Sequence, residues 1–246
     1  MLGLEPTLVV LLFSAISAAS AVLGAGPFLF RRQLPIVQIG WANALAAGMM
    51  LGAAYVLLIG GLPLGAGAVA AGAVLGIGFA AWSHTASGTG DLDLNRLGDT
   101  GPTYGYQVLL VNSLHSAFEG VAIGAAMALS LPFGVFVALA IAIHNIPEAT
   151  VLCAILTGRR VAISSAAGLA VAANVSQVML AIFTFAIVDA APGALPWALG
   201  LATGALIQLV MADLLPESYR QAGHRTIALV AIVAMGIVVL LRTAVA

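Results

Sequence analysis

Two histidines each stand four residues before a glutamate, in His115-Ser116-Ala117-Phe118-Glu119-Gly120 and His144-Asn145-Ile146-Pro147-Glu148-Ala149. On a helix, residues i and i+4 lie one turn apart on one face, so each segment presents an imidazole and a carboxylate together. Two such faces opposed form a four-ligand pocket of nitrogen and oxygen donors. That set suits Zn²⁺, Fe²⁺, Mn²⁺ and other first-row divalent ions, and two carboxylates balance one divalent charge. Both segments are embedded in apolar runs. An ionisable group at the bilayer centre costs about 2.5–3.5 kcal/mol on insertion scales, so four at one depth point beyond interhelical hydrogen bonding to a functional pocket. The chemistry expected is the passage of a metal ion through a membrane.

The rest of the chain supplies the membrane. Of 246 residues, 62% are hydrophobic and 7% charged, and the mean hydropathy is +1.14, far outside the range of a soluble domain. No basic patch suits nucleic acid. The single cysteine, Cys153, excludes an internal disulfide and reads as a small core residue. A span needs about 20 apolar residues. Eight segments meet that length, at about 7–30, 39–60, 63–83, 105–129, 132–157, 161–188, 196–218 and 225–245, in one all-α membrane domain. The first follows Glu5 and precedes Arg31-Arg32, so it reads as a span and not as a secretory signal.

Arginine sets the orientation, because the chain has no lysine. With the N-terminus outside, Arg31, Arg32, Arg96, Arg159, Arg160, Arg220 and Arg225 are cytoplasmic and Arg242 alone is exterior. Both termini are then outside. The loop 85–103, with Asp91, Asp93 and Asp99, reads as flexible and cytoplasmic, without a histidine cluster. His115, Glu119, His144 and Glu148 fall within about one turn of mid-span. Pro147 beside Glu148 should bend the fifth span and free a carbonyl near residue 143. Gly72 and Gly76, like Gly120 and Gly124, have the spacing of tight helix contacts; only Gly120 carries weight here, because it follows Glu119. Asn112, Asn174, Gln177, Gln208 and Asp213 would line a hydrated path, with Glu217 and Arg220 at its cytoplasmic mouth or simply paired there.

At these residues the chain resembles the ZIP family of divalent metal transporters. The family's fourth-span motif His-Asn-x-x-Glu-Gly is matched by His115 to Gly120. Its fifth-span motif, His-Glu-x-Pro-x-Glu or His-x-x-Pro-Glu-Gly, is matched by His144 to Ala149. Ala47-Gly48-Met49-Met50-Leu51 is similar to the family's second span, and Asp213-Leu214-Leu215-Pro216-Glu217 to its seventh. The resemblance implies eight spans with inverted 3+2+3 organisation, both termini outside, and Zn²⁺ or Fe²⁺ moving into the cytoplasm across the cell membrane. The implied metal ligands are His115, Glu119, His144 and Glu148, with Met50 as a fifth. Cd²⁺ and Mn²⁺ fit the same donors.

Many members also hold a second, adjacent metal. The positions that would bind it are here Ser116, Asn145 and Gln177, all uncharged, so a single intramembrane metal is expected. The ion is cargo, and no catalytic cofactor is implied. Two rival readings use the same ligands. An intramembrane metalloenzyme would want His-Glu-x-x-His, which Ser116 and Asn145 break. A metal-binding membrane protein without flux is the other. The lipid bilayer and the divalent ion are the expected partners, and a homodimer is compatible with the sequence.

Overall fold

In lipid a chain must satisfy each backbone N–H and C=O within its own segment, so long apolar runs become helices. The computed structural model describes residues 5–31, 33–88 and 102–245. Arg32, Arg96, Asp91, Asp93, Asp99 and most of the 85–103 loop lie outside the described residues.

The elements are α1 (Pro6–Ser20), continued by a 3₁₀ segment (Ala21–Leu29), then α2 (Ile36–Ala86), α3 (Pro102–Leu129), α4 (Leu131–Gly158), α5 (Ile163–Ala173) and α6 (Val175–Ala190). They are followed by α7 (Leu195–Leu209), a π-helical turn (Val210–Leu214), α8 (Leu215–Ala222) and α9 (His224–Val245). Among the described residues there is no strand, and seven helical stretches are long and apolar enough to cross a membrane. The chain is therefore a polytopic, all-helical membrane protein.

Three breaks differ from the sequence expectation, each for a local reason. The turn expected at Gly60-Gly61-Leu62-Pro63 falls at Gly65, whose φ of +147° only glycine adopts comfortably. Gly60 and Gly61 are instead packing surfaces, against Leu129 and Phe133 and against Leu199. The 51 residues of α2 would be roughly 76 Å long if straight. A Cβ on Gly61 would lie 3.1 Å from Val69, so the chain folds back at Gly65 into two arms, 36–64 and 66–86. The sixth expected span is divided at Asn174, where α5 passes to α6. In the seventh, Pro216 has no N–H for the Ala212 carbonyl, and the preceding turn widens to a π-turn. Pro147 stays inside an unbroken α4, where the Ser20 hydroxyl donates to the nearby Ala142 carbonyl at 2.6 Å.

Lipid tails are as apolar as leucine, so helices in a bilayer associate through close packing rather than water exclusion. Glycine makes that approach here. A Cβ on Gly72 or Gly76 would strike the Trp197 or Leu201 carbonyl, and one on Gly200 or Gly204 the Val69 or Ala73 carbonyl. The second arm of α2 and α7 are thus in backbone contact along both faces. The 72/76 spacing, given no weight from sequence, is as structural as the 120/124 pair. Gly120 and Gly124 seat α3 on the carbonyls of Gln177 and Ala181 in α6, and Gly48 seats the first arm of α2 on α9 at Ala231. Two helix groups result: α2 with α7, α8 and α9, and α1 with α3, α4, α5 and α6. The expected ligands lie where the groups meet.

Candidate metal-binding site

α3 and α4 are 28-residue helices joined through Ser130 alone, so they run antiparallel with their midpoints level. Ser130 caps α4, accepting from the Phe133 N–H at 3.3 Å. His115 and His144 fall at those midpoints. Both are buried, as are Glu119 and Glu148, at 1% and 8% exposure.

His144 Nε2 lies 2.8 Å from Glu119 Oε1 and 3.1 Å from Glu148 Oε2. Its Nδ1 is 3.1 Å from the Ala46 carbonyl on α2, an acceptor that calls for the N–H on Nδ1. That tautomer leaves the Nε2 lone pair directed at the two carboxylates, as a metal-bound histidine requires. Asn112 Nδ2 donates to Glu148 Oε1 at 2.7 Å and orients that carboxylate. Glu119 Oε2 is buried with no hydrogen-bond partner among the described residues. Such an atom is costly unless a cation answers it.

The four ligands do not converge on one point. Glu119, His144 and Glu148 form one group with ligand atoms within 4.8 Å of one another; His115 joins His84 and Asp213 in a second. His115 Nδ1 faces the first group, 3.9 Å from Glu148 Oε1, and its Nε2 is 3.3 Å from Asp213 Oδ2. The sequence reading did not single out His84. It sits in the last turn of α2 and reaches the site only because α2 folds back at Gly65.

Two cavities flank the first group. One of about 50 Å³, room for a few waters, runs from Glu148 and His115 past Asn112 to Val108 and Ile155. It leads toward the ends of α3 and α4 bearing Pro102 and Gly158. On the other side Met50, Met49, Ile141 and Leu206 close over Glu119 and His144, leaving about 10 Å³, too little for more than one water.

The uncharged positions form a buried network of their own. Asn145 Nδ2 donates to the Ser17 carbonyl at 2.9 Å and to Gln177 Oε1 at 3.1 Å, and Gln177 Nε2 donates to Ser17 Oγ at 2.7 Å. Ser116 Oγ donates to Asn174 Oδ1 at 2.9 Å. Ser17, on the first helix, has no sequence signal beyond being a small polar residue in a span. Gln208 on α7 is half-buried and belongs to neither ligand group. Glu217 is 2% exposed and accepts from Arg220 at 2.7 Å and from Gln221 at 2.6 Å. Asn43 in turn donates to Gln221, which ties α8 to α2. Both Glu217 oxygens are engaged, so it braces α8.

Outer hydrogen bonds of this kind set ligand geometry, and losing one typically costs 10–100-fold in metal affinity. Asn112→Val is therefore expected to weaken Zn²⁺ binding by about 10–100-fold while the protein keeps its helical content, as read by calorimetric titration and circular dichroism.

The profile of the family described as ZIP zinc transporter matches residues 83–244. A protein of Arabidopsis thaliana named "Putative zinc transporter" is 31% identical over 223 residues, covering 89% of this chain. The chain spans 36% of the length of that relative.

Proposed function

The chain belongs to the ZIP zinc transporter family, and from that premise we propose that it carries Zn²⁺ or Fe²⁺ across the cell membrane into the cytoplasm. The observation that carries this reading is the group of Glu119, His144 and Glu148, with an orphaned carboxylate oxygen, buried midway along two antiparallel membrane helices. His115 completes the ligand set through Nδ1, and Met50 is a fifth ligand from the opposite helix group. The donors also accept Cd²⁺ and Mn²⁺. The neutral network around Asn145 and Gln177 supports one metal at this centre, because a second dication would find no carboxylate there.

Reading the two arms of α2 as separate spans raises the seven apolar stretches to eight, and this supports the reading of a single membrane domain with three spans on either side of α3 and α4. Arg242 lies 5.1 Å over the Phe133 ring, at the end of the bundle away from Arg159, in keeping with both termini outside. The cavity of about 50 Å³ then lies on the cytoplasmic side of the ligands and the smaller one on the exterior side, which supports release toward the cytoplasm. Ions leave past Asp213, with Glu217 at the mouth. All ligands come from one chain, so a homodimer is compatible but not required. An enzymatic reading lacks the general base that His-Glu-x-x-His supplies.

The test is flux. Sealed vesicles carrying the protein should take up Zn²⁺ well above protein-free vesicles when an ion gradient is imposed. Tight binding with no uptake under any gradient would replace transport by the non-translocating reading.

A further inference from the structure

A cavity of about 280 Å³, against about 50 Å³ beside Glu148, opens where the 3₁₀ segment, the start of α2 and the end of α4 meet. Its walls divide by chemistry. Phe28, Leu34, Ile39 and Ala154 are apolar, and Gln33 and Thr157 give the space a polar edge. Thr157 Oγ1 donates to the Cys153 carbonyl at 2.7 Å, so toward the cavity it can only accept, whereas the exposed Gln33 amide can also donate. Arg31 stands two residues before Gln33, and Arg160 two after Gly158, which also lines the space. Both arginines are exposed and neither has an ion pair among the described residues. Arg159 is turned instead to Gly105 on α3. No Asp or Glu stands between Glu5 and Asp91 or between Glu148 and Asp189. Glu217, on the neighbouring α8, has its oxygens taken by Arg220 and Gln221. Arg160 also holds a φ of +64°, a conformation usual for glycine at a helix end. Its N–H bonds the Thr157 carbonyl at 3.0 Å and the Val161 N–H bonds the Leu156 carbonyl at 3.1 Å, a closing turn that glycine would make at less cost. Loop arginines in general answer membrane orientation and the helix dipole. An arginine in a glycine conformation beside a half-apolar cavity calls for a ligand.

We propose that this cavity holds one anionic phospholipid, its phosphate answered by Arg31 and Arg160, its headgroup hydroxyls by Gln33 and Thr157, and the start of an acyl chain by the apolar wall. With both termini outside, the lipid comes from the cytoplasmic leaflet, whose anionic lipids attract basic side chains at the membrane edge. A free phosphate would leave Phe28, Leu34, Ile39 and Ala154 uncovered, so the division of the walls favours a lipid over an ion. Phe28 and Ala154 belong to one helix group and Ile39 to the other, so the bound lipid touches both.

Lipid binding needs neither metal nor flux, so this inference and the reading of transport can fail separately. The experiment titrates the full chain in neutral detergent with phosphatidylglycerol or with phosphatidylcholine of the same acyl chains, and counts lipid retained per chain by native mass spectrometry. One phosphatidylglycerol should be retained in preference to phosphatidylcholine. A basic side chain near an anionic surface is worth about five-fold in binding, so Arg31→Gln/Arg160→Gly should weaken phosphatidylglycerol roughly 25-fold and leave phosphatidylcholine unchanged. Arg160→Gly suits the turn, so its loss of lipid is not a loss of fold. Gln33→Trp, at an exposed position, should fill the cavity and weaken phosphatidylglycerol with both arginines in place. Elution as one species with unchanged helical content shows that each variant has folded. Equal retention of the two lipids, several equivalent phosphatidylglycerols per chain, or binding indifferent to either variant would overturn the site. Displacement of the lipid by inorganic phosphate at equal concentration would reduce it to an ion site and overturn the lipid.

Discussion

Glu119→Gln is expected to reduce Zn²⁺ uptake into sealed vesicles by at least about 100-fold, since loss of a mere outer-shell partner already costs 10–100-fold in affinity. The substitution changes almost no volume, and Glu119 is 1% exposed, so packing on α4 and α6 is preserved. What changes is chemistry. The carboxylate places one oxygen 2.8 Å from His144 Nε2 and leaves the other without a partner. An amide gives up the negative charge that answers a dication and presents an NH₂ group, which cannot ligate, at one of those two positions. With Glu148 alone, the first group is a weak, singly charged site. Undiminished uptake in a folded Glu119→Gln protein would remove Glu119 from the ligand set.

The four proposed ligands were legible because chemistry and period coincide: His at i and Glu at i+4, twice, at the midpoints of adjacent apolar runs. The bond of Asn112 to Glu148 is seen only in the structure, but Asn112, three residues before His115 and seven before Glu119, was legible as a polar residue of the path. His84 was not, because a lone histidine near the end of a span carries no local pattern. Its meeting with Asp213 depends on where α2 turns, and sequence placed that turn at Gly60 to Pro63 instead of Gly65. In so alanine- and glycine-rich a chain, spacing alone cannot say which small residues face a neighbour. The spacing of Gly72 and Gly76 thus carried no weight, although they seat α2 on Trp197 and Leu201 of α7. Ser17 failed for the same reason, as its two amide partners come from α4 and α6. The split of the ligands into two groups is likewise tertiary, since it depends on the two faces of one imidazole ring.

The network around Asn145 gives the second large prediction. Asn145, Gln177 and Ser17 are buried at 1%, 0% and 0% exposure, and their bonds run from amide N–H groups to oxygens. The network is neutral and holds no charge for an ion to balance, although Asn145 Oδ1 has no hydrogen-bond partner among the described residues. Asn145→Asp/Gln177→Glu keeps the shapes but removes the donors, setting two carboxylates against each other and against the Ser17 carbonyl. Without metal, buried charge left uncompensated in this way costs about 3–5 kcal/mol. With metal, the same oxygens are ligands. Gly120, the residue after Glu119, packs on the Gln177 backbone, and Glu119 Oε2 has no hydrogen-bond partner among the described residues, so a second ion is expected to draw on both. Saturation is expected to rise from one ion per chain to two. The thermal midpoint should fall well below that of the unmodified chain in chelator and recover on adding Zn²⁺, since an ion at 100 times its dissociation constant restores about 2.7 kcal/mol. Metal counting and a melting curve with and without Zn²⁺ read the two effects independently. A double variant that melts like the unmodified chain in chelator and still binds one ion would mean that the network does not occupy the place of a second metal.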